Sequence, residues 1–189
     1  KNNRKSISLK FYKLKNRGSS GARNFGLKKI NYNFFCFFDP DDTMSKNFIK
    51  DKIKIFKSLK KKNLVGVYSN AKILKNGLNK SVKYKKGLSN IGDIDSIGKE
   101  GGLSGSLPTF LFDKKIINKN NLLLDNLIQI NEDFDFIIRM LKKDLYIYGI
   151  DKKQTNVNLY KNSLTRSDEN QDFVYFHQKK FIKKASKLG

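Results

Sequence analysis

Apolar residues gather in short clusters between polar, lysine-rich stretches, and the spacing within the clusters changes along the chain. Phe34-Phe35-Cys36-Phe37-Phe38 is a continuous apolar run closed by Asp39-Pro40-Asp41-Asp42, which predicts a short buried strand ended by a turn. Between Lys46 and Lys62 the residues Phe48, Ile49, Ile53, Ile55, Phe56 and Leu59 fall mostly three and four apart, with lysines between them. That spacing predicts an amphipathic helix with a basic outer face. Thr43 or Ser45 is placed to cap it, with Asp41 and Asp42 near its positive end. Leu64-Val65-Gly66-Val67-Tyr68 predicts a second strand buried on both faces, and the three elements have the length of a right-handed parallel crossover. A further helix is expected from Ser69 or Asn70 as cap to Gly77 as terminator.

Residues 79–106 are rich in glycine, serine and lysine and predict a long loop. Phe110-Leu111-Phe112 reads as a third strand, Leu122 to Ile128 as part of a helix, Phe134–Leu141 as another, and Leu145-Tyr146-Ile147-Tyr148 as a fourth strand. Beyond Asp151 the chain is polar and weakly periodic, apart from a basic helix around Phe173–Lys184. Strands alternating with helices place the fold in the α/β class, a small mixed sheet with flanking helices. The expected organisation is a basic extended segment over 1–32, an α/β core over 33–150 and a polar extension over 151–189.

Charge changes this picture more than composition does. The 189 residues carry a formal net charge of +23, and a polyanion is the default partner of such a surface. The excess is uneven: residues 1–92 hold 24 basic side chains against four aspartates, whereas 93–189 hold 16 against 13 acids. Residues 1–33 contain ten basic and no acidic residues, with Phe11, Tyr12 and Phe25 interleaved. Such a stretch is expected to be disordered alone and to order on RNA, its aromatic rings offering faces for bases. Arg4, Lys5, Lys10, Lys13, Lys15, Arg17, Arg23, Lys28 and Lys29 are the expected RNA contacts there. About ten phosphate contacts would already make affinity fall by orders of magnitude over a modest rise in salt. Only five of the 40 basic residues are arginines, asparagine, isoleucine and phenylalanine are abundant, and tryptophan is absent. A nucleotide bias toward A/T-rich codons accounts for that pattern and argues against weight on individual lysines.

The candidate chemistry is sparse. Cys36 and His177 are each the sole residue of their kind, so an internal disulfide is impossible and a Cys/His zinc site lacks its ligands. The segment from Gly98 to Ser106 departs from a phosphate-binding loop, because its only Gly-Lys is followed by Glu100. It reads as a flexible surface loop. Asp93 with Asp95, and Asp133 with Asp135, read as solvated turn residues, since an acid–base pair needs a pocket to separate its two pKa values. The longest apolar run is five residues, far short of the roughly 20 that span a bilayer. The first residue is Lys1, which leaves open a leading segment removed or left out.

From Asn33 to Gly149 the chain resembles the universal stalk-base family of the large ribosomal subunit, the family numbered ten. The resemblance rests on Phe34–Phe38, Phe48–Leu59, Leu64–Tyr68 with Ser69-Asn70-Ala71-Lys72-Ile73-Leu74, and Gly105-Ser106-Leu107-Pro108-Thr109 entering Phe110–Phe112. Leu122–Ile130 and Leu145–Gly149 complete it. It implies rRNA contacts at Asn70, Lys72 and Lys75. The family's long C-terminal helix, which carries stalk proteins, has no match after Asp151. The expectation is a structural component of an organellar, mitochondrial ribosome, held on rRNA at the stalk base. Its partners are rRNA, neighbouring ribosomal proteins and stalk proteins. It is not an enzyme, and it has no cofactor, no metal, no membrane span and no small-molecule substrate. The alternatives are another organellar ribosomal protein, including one of the small subunit, or a basic RNA-maturation factor. A protein held to anionic membrane by its lysines is a further rival.

Overall fold

The computed structural model describes residues 8–15, 18–75, 78–159 and 171–187. Two long parallel strands, β3 (Leu64–Lys75) and β7 (Tyr146–Leu159), form its centre. Against them lie β1 (Phe34–Phe35), β2 (Thr43–Met44), β4 (Leu78–Val82), β5 (Gly87–Ser89) and β6 (Phe110–Asp113), each antiparallel to its partner. The order along the sheet is β1-β6-β3-β7-β2, with β4 on the far half of β3 and β5 on the near half of β7. The α/β class and the mixed sheet with flanking helices are therefore as expected. β1 and β3 run the same way, as a crossover requires, but β6 is inserted between them.

The phenylalanine run shows how strand alternation divides the molecule. Phe35 and Phe37 turn to one face, where they meet Phe112 and, for Phe37, Phe136. Phe34 and Phe38 turn to the other, against Phe56 and Phe48 of α2 (Phe48–Leu59). The first face carries the main core, with Val65, Tyr68, Phe110, Ile137 and Met140. The second is smaller: Leu64, Val67 and Ile150 under Ile55 and Phe56. Asn47 occupies the N-cap position of α2 without a side-chain cap bond, while Thr43, one of the expected caps, is in β2.

Five expectations are corrected. The residues before β1 are not an extended arm throughout, because Gly18–Lys29 form helix α1, which buries Ser20, Gly21, Asn24 and Leu27. The Ser20 hydroxyl donates to the Ile128 carbonyl at 3.1 Å, and the Asn24 amide donates to the Leu124 carbonyl at 2.8 Å while its oxygen accepts the Leu124 N–H at 2.9 Å. Apart from Leu27 the buried side of α1 is made of small and amide residues, so a search for apolar periodicity passes over it.

The helix expected from Ser69 is instead the second half of β3. Asn70 donates to Asp151 at 2.9 Å and accepts the Tyr84 N–H at 2.8 Å, and register shifts around Ser69–Ala71 let both long strands keep pairing. Cross-strand packing overrides the cap-and-glycine signal. Residues 122–130 are irregular and not helical. They bury Leu122, Leu124, Ile128 and Ile130, with their backbone partly satisfied by Asn24. The long loop expected over 79–106 contains β4, β5 and a 3₁₀ turn, Ile91–Ser96. The boundary expected at Asp151 falls inside β7.

The remaining helices are α3 (Lys114–Lys119), capped by the Asp113 carboxylate, α4 (Glu132–Leu141) and α5 (Gln171–Ser186). Among the described residues no helix is long and apolar enough to cross a membrane.

Candidate active site

Three elements that are distant in sequence converge on one cleft of about 410 Å³. α1 contributes Arg23, the turn after the phenylalanine run contributes Asp39, and the first turn of α4 contributes Glu132 and Asp133. Arg23 is the centre of the arrangement. Its Nη1 donates to Glu132 Oε1 at 2.7 Å and lies 3.5 Å from Asp133 Oδ1, and its Nη2 donates to Asp39 Oδ1 at 3.0 Å. Ser19 donates to the same Glu132 oxygen at 3.0 Å. The Arg23, Glu132 and Asp133 side chains are largely buried, whereas Asp39 stands at the mouth with 47% of its side chain exposed.

The electrostatics follow from this crowding. Desolvation pulls the Arg23 pKa down, but Asp133, Asp39 and Glu132 outweigh it and the net shift is upward. Burial, and next the neighbouring Glu132, push Asp133 up to about 7, with Arg23 and the Leu107 N–H opposing. The Leu107 N–H donates to Asp133 Oδ2 at 3.1 Å, which leaves the Oδ1 side toward Arg23. A carboxylate that titrates near neutrality in a cleft beside a fixed cation has the properties of a general base. Among the described residues no group of three or more His, Cys, Asp or Glu side chains is arranged to hold a metal ion.

The loop from Gly98 to Ser106 forms another wall and is packed, not floppy: Leu103 and Ser104 are fully buried. Gly98 and Gly105 both lie under the Phe134 ring, and Gly98 has φ +76°. A Cβ at Gly98 would stand 2.6 Å from Phe134 ring carbons, so the loop needs glycine both for its backbone and for this approach.

The reading of Asp133 and Asp135 as solvated is thus corrected. Asp133 lines the cleft, and Asp135 is buried beneath it, paired with Arg139 at 2.8 Å and Lys184 at 2.7 Å. The missed signal was their place in the first turn of a strongly amphipathic helix, where the helix dipole favours anions. Asp39, likewise, was read only as part of a turn.

Of the residues expected on RNA, Arg4, Lys5 and Arg17 lie outside the described residues. Lys10, Lys13 and Lys15 are exposed on the stretch before α1, and Lys28 and Lys29 are exposed at its end. Arg23 is turned inward on its three carboxylates. Asn70 is buried between β3 and β7, Lys72 is half-buried and Lys75 is exposed on β3.

His177, on α5, is buried and accepts the Gln129 N–H at Nδ1 (3.3 Å). Burial and then Lys180 hold its pKa below the usual value. Cys36 is half-buried, and burial raises its thiol pKa.

Comparison with known proteins gives the family. The family described as Glycosyl transferase family 2 matches residues 4–119, a span that holds Arg23, Asp39 and the Gly98–Ser106 wall. A Methanococcus voltae protein, dolichyl N-acetyl-alpha-D-glucosaminyl phosphate 3-beta-D-2,3-diacetamido-2,3-dideoxy-beta-D-glucuronosyltransferase, is 26% identical over 187 residues, covering 96% of this chain and 53% of its own length. The chain therefore spans about half of that curated relative. Among solved structures, S. aureus TarS 1–349 in complex with UDP superimposes with a TM-score of 0.59 at 18% identity, over 76% of this chain and 41% of TarS. TarS with UDP-GlcNAc gives 0.58 over 76% and 40%.

These findings overturn the ribosomal reading. The stalk-base resemblance rested on short strand–helix–strand segments common to many α/β folds, and one of them, Leu122–Ile130, is not the helix it required. Organellar ribosome, stalk base and RNA maturation are withdrawn as roles, and rRNA, neighbouring ribosomal proteins and stalk proteins as partners. The same match overturns the expectations of no enzyme and no small-molecule substrate, since the relatives are a glycosyltransferase and a protein that binds a nucleotide sugar. The chain belongs to glycosyl transferase family 2.

Proposed function

We propose that this chain supplies the acceptor-activating half of a glycosyltransferase, with Asp133 as the base. The observation that carries the reading is the Asp133 carboxylate itself, raised to about 7 in a cleft between Arg23 and Glu132. Sugar transfer to a hydroxyl requires that the hydroxyl lose its proton as its oxygen bonds the anomeric carbon and the bond from that carbon to the leaving group breaks. Asp133 takes the proton, and the leaving group departs with the bonding electrons. Arg23 keeps a fraction of Asp133 ionised at neutral pH, and burial, with Glu132 beside it, keeps its proton affinity high enough to accept one.

The donor class we take for this chain is a nucleoside-diphosphate sugar, supported by the UDP and UDP-GlcNAc held by TarS. The acceptor class is a sugar carried on a lipid phosphate, supported by the name of the M. voltae relative. The test is release of nucleoside diphosphate from a panel of nucleotide sugars by the full-length protein, in the presence of lipid-linked glycan. Release is expected for one donor and should be lost with Asp133→Asn. Undiminished release by that variant would remove Asp133 from the mechanism.

A further inference from the structure

α5 presents two unlike faces. The inner one is fixed to the cleft wall: His177 accepts the Gln129 N–H, and Lys184 pairs with Asp125 at 2.8 Å and Asp135 at 2.7 Å. Gln129 and Asp135 flank Asn131–Phe134, the part of the wall that carries the base. On the outer face Tyr175, Lys179, Ile182 and Ser186 follow one another at helical spacing, with Phe176 and Lys183 beside them.

Tyr175, Phe176 and Ile182 are 60%, 55% and 64% exposed, and the Lys179 and Lys180 ammonium groups lie 4.6 and 4.4 Å over the Tyr175 and Phe176 rings. Asp172 is the only acid in the helix. A polynucleotide would be served by the lysines and gain nothing from Ile182, and an ordinary solvated face would not carry three large apolar side chains. The interface of an anionic bilayer suits both sets, because rings and aliphatic chains enter the acyl boundary while lysine stems carry their charges out to headgroup phosphates. The helix has 16 residues with four lysines in its second half, so it fits a position on the surface and not a span.

We propose that α5 docks the protein on an anionic membrane surface, placing the cleft it braces beside an acceptor carried in that membrane. The inference rests on the lipid-carried acceptor reading above. Because the chain contains no tryptophan, Tyr175→Trp places a single reporter on the outer face of the 189-residue chain. The probes are phosphatidylcholine vesicles with and without roughly one third phosphatidylglycerol. Anionic vesicles are expected to shift the Trp emission to the blue and to quench it when their acyl chains are brominated. Adding Lys179→Glu and Lys183→Glu should weaken binding by about tenfold or more, with the circular dichroism spectrum unchanged.

Vesicle binding that leaves position 175 unquenched would mean that another surface docks, and the proposal would be wrong. So would absence of binding, or a shift produced by RNA and not by vesicles. None of these readouts requires turnover, so a failed activity assay and a failed docking assay point to different errors.

Discussion

Two cations are buried on opposite faces of the sheet, in unlike surroundings. Arg23 lies on the α1–α4 side among Asp39, Glu132 and Asp133. Lys52 lies on the inner side of α2, fully buried, with its Nζ 3.2 Å from the Ser69 hydroxyl, 3.0 Å from the Gln154 side-chain amide oxygen and 3.4 Å over the Phe48 ring. Its hydrogen-bond partners are neutral, and the carboxylate of Asp51 accepts from the Gln154 amide instead of from Lys52. Arg23 is shifted upward by its carboxylates, while burial brings Lys52 down to about 7. A guanidinium cannot shed its proton at any physiological pH, so its burial must be matched by anions. An ammonium can, so its burial needs only room and neutral acceptors. The permanent charge therefore stands among the carboxylates of the cleft, and the conditional one among neutral acceptors and an aromatic ring.

The largest expected effect tests the catalytic side of that contrast. Asp133→Asn keeps the shape and an acceptor for the Leu107 N–H but cannot take a proton, and turnover should fall about 10²- to 10⁴-fold. If Asp133 is the base, kcat/KM of the native protein should rise with pH to a plateau above about 7, because the base must be ionised to act. A profile flat from pH 5 to 8 on the order of assay error would contradict the assignment.

Arg23→Met comes next. It leaves Glu132 and Asp133 largely buried without their cation, which should cost about 3–5 kcal/mol in denaturant unfolding. It should also move the kcat/KM profile to higher pH, since Asp133 loses the charge that holds its pKa down. Equal stability of variant and native protein would show the cluster to be solvated and the cleft misread.

Lys52→Met should do much less at neutral pH, and its signature is a slope. Between about 7 and the ordinary lysine value of 10.5 the unfolded chain holds a proton that the native Lys52 has released. Native stability therefore gains as pH rises through that window. The methionine variant should lose this gain, while at pH 7 its melting temperature stays close to native, because the long apolar side chain fills the same space beside Phe48. Parallel stability curves for the two proteins from pH 7 to 10 would mean that Lys52 stays charged where it is.

The contrast was only half legible in the sequence. The phenylalanine run, the amphipathic α2, β6, α4 and α5 could be read because their apolar spacing is strong. α1 could not, since three of its four buried residues are Ser20, Gly21 and Asn24, and Leu27 alone gives no apolar period. That omission left Arg23 looking like one basic residue in a disordered arm. The site was hidden for the same reason: Arg23, Asp39 and Asp133 are brought together by a helix that periodicity does not detect, and carboxylates 94 residues apart in sequence give no spacing to recognise. Lys52 was equally opaque, lying among lysines that do face solvent. The net charge drew attention to the surface, while the informative charges were inside.

Asp42 tests the region between the two cations and should give the smallest effect. It follows Asp39 in the same acidic turn but points away from Arg23, accepting the Asn158 N–H of β7 at 3.0 Å. Burial, reinforced by Asp39 and Asp41 and opposed by that N–H, raises it to about 6. Its native pKa lies above the ordinary value of 3.8, so the native state holds the extra proton between those limits, and the associated stability is present below about 4 and lost as pH rises through 6. Asp42→Asn retains the acceptor for Asn158 and removes the charge. The half-exposed site is screened, so the gain at pH 7.5 should be only about 1 kcal/mol, vanishing near pH 4. If the variant is instead less stable at pH 7.5, the ionised carboxylate is holding the β2–β7 edge together. The acidic turn would then be a structural clasp at Asp42, with only Asp39 left to serve the cleft.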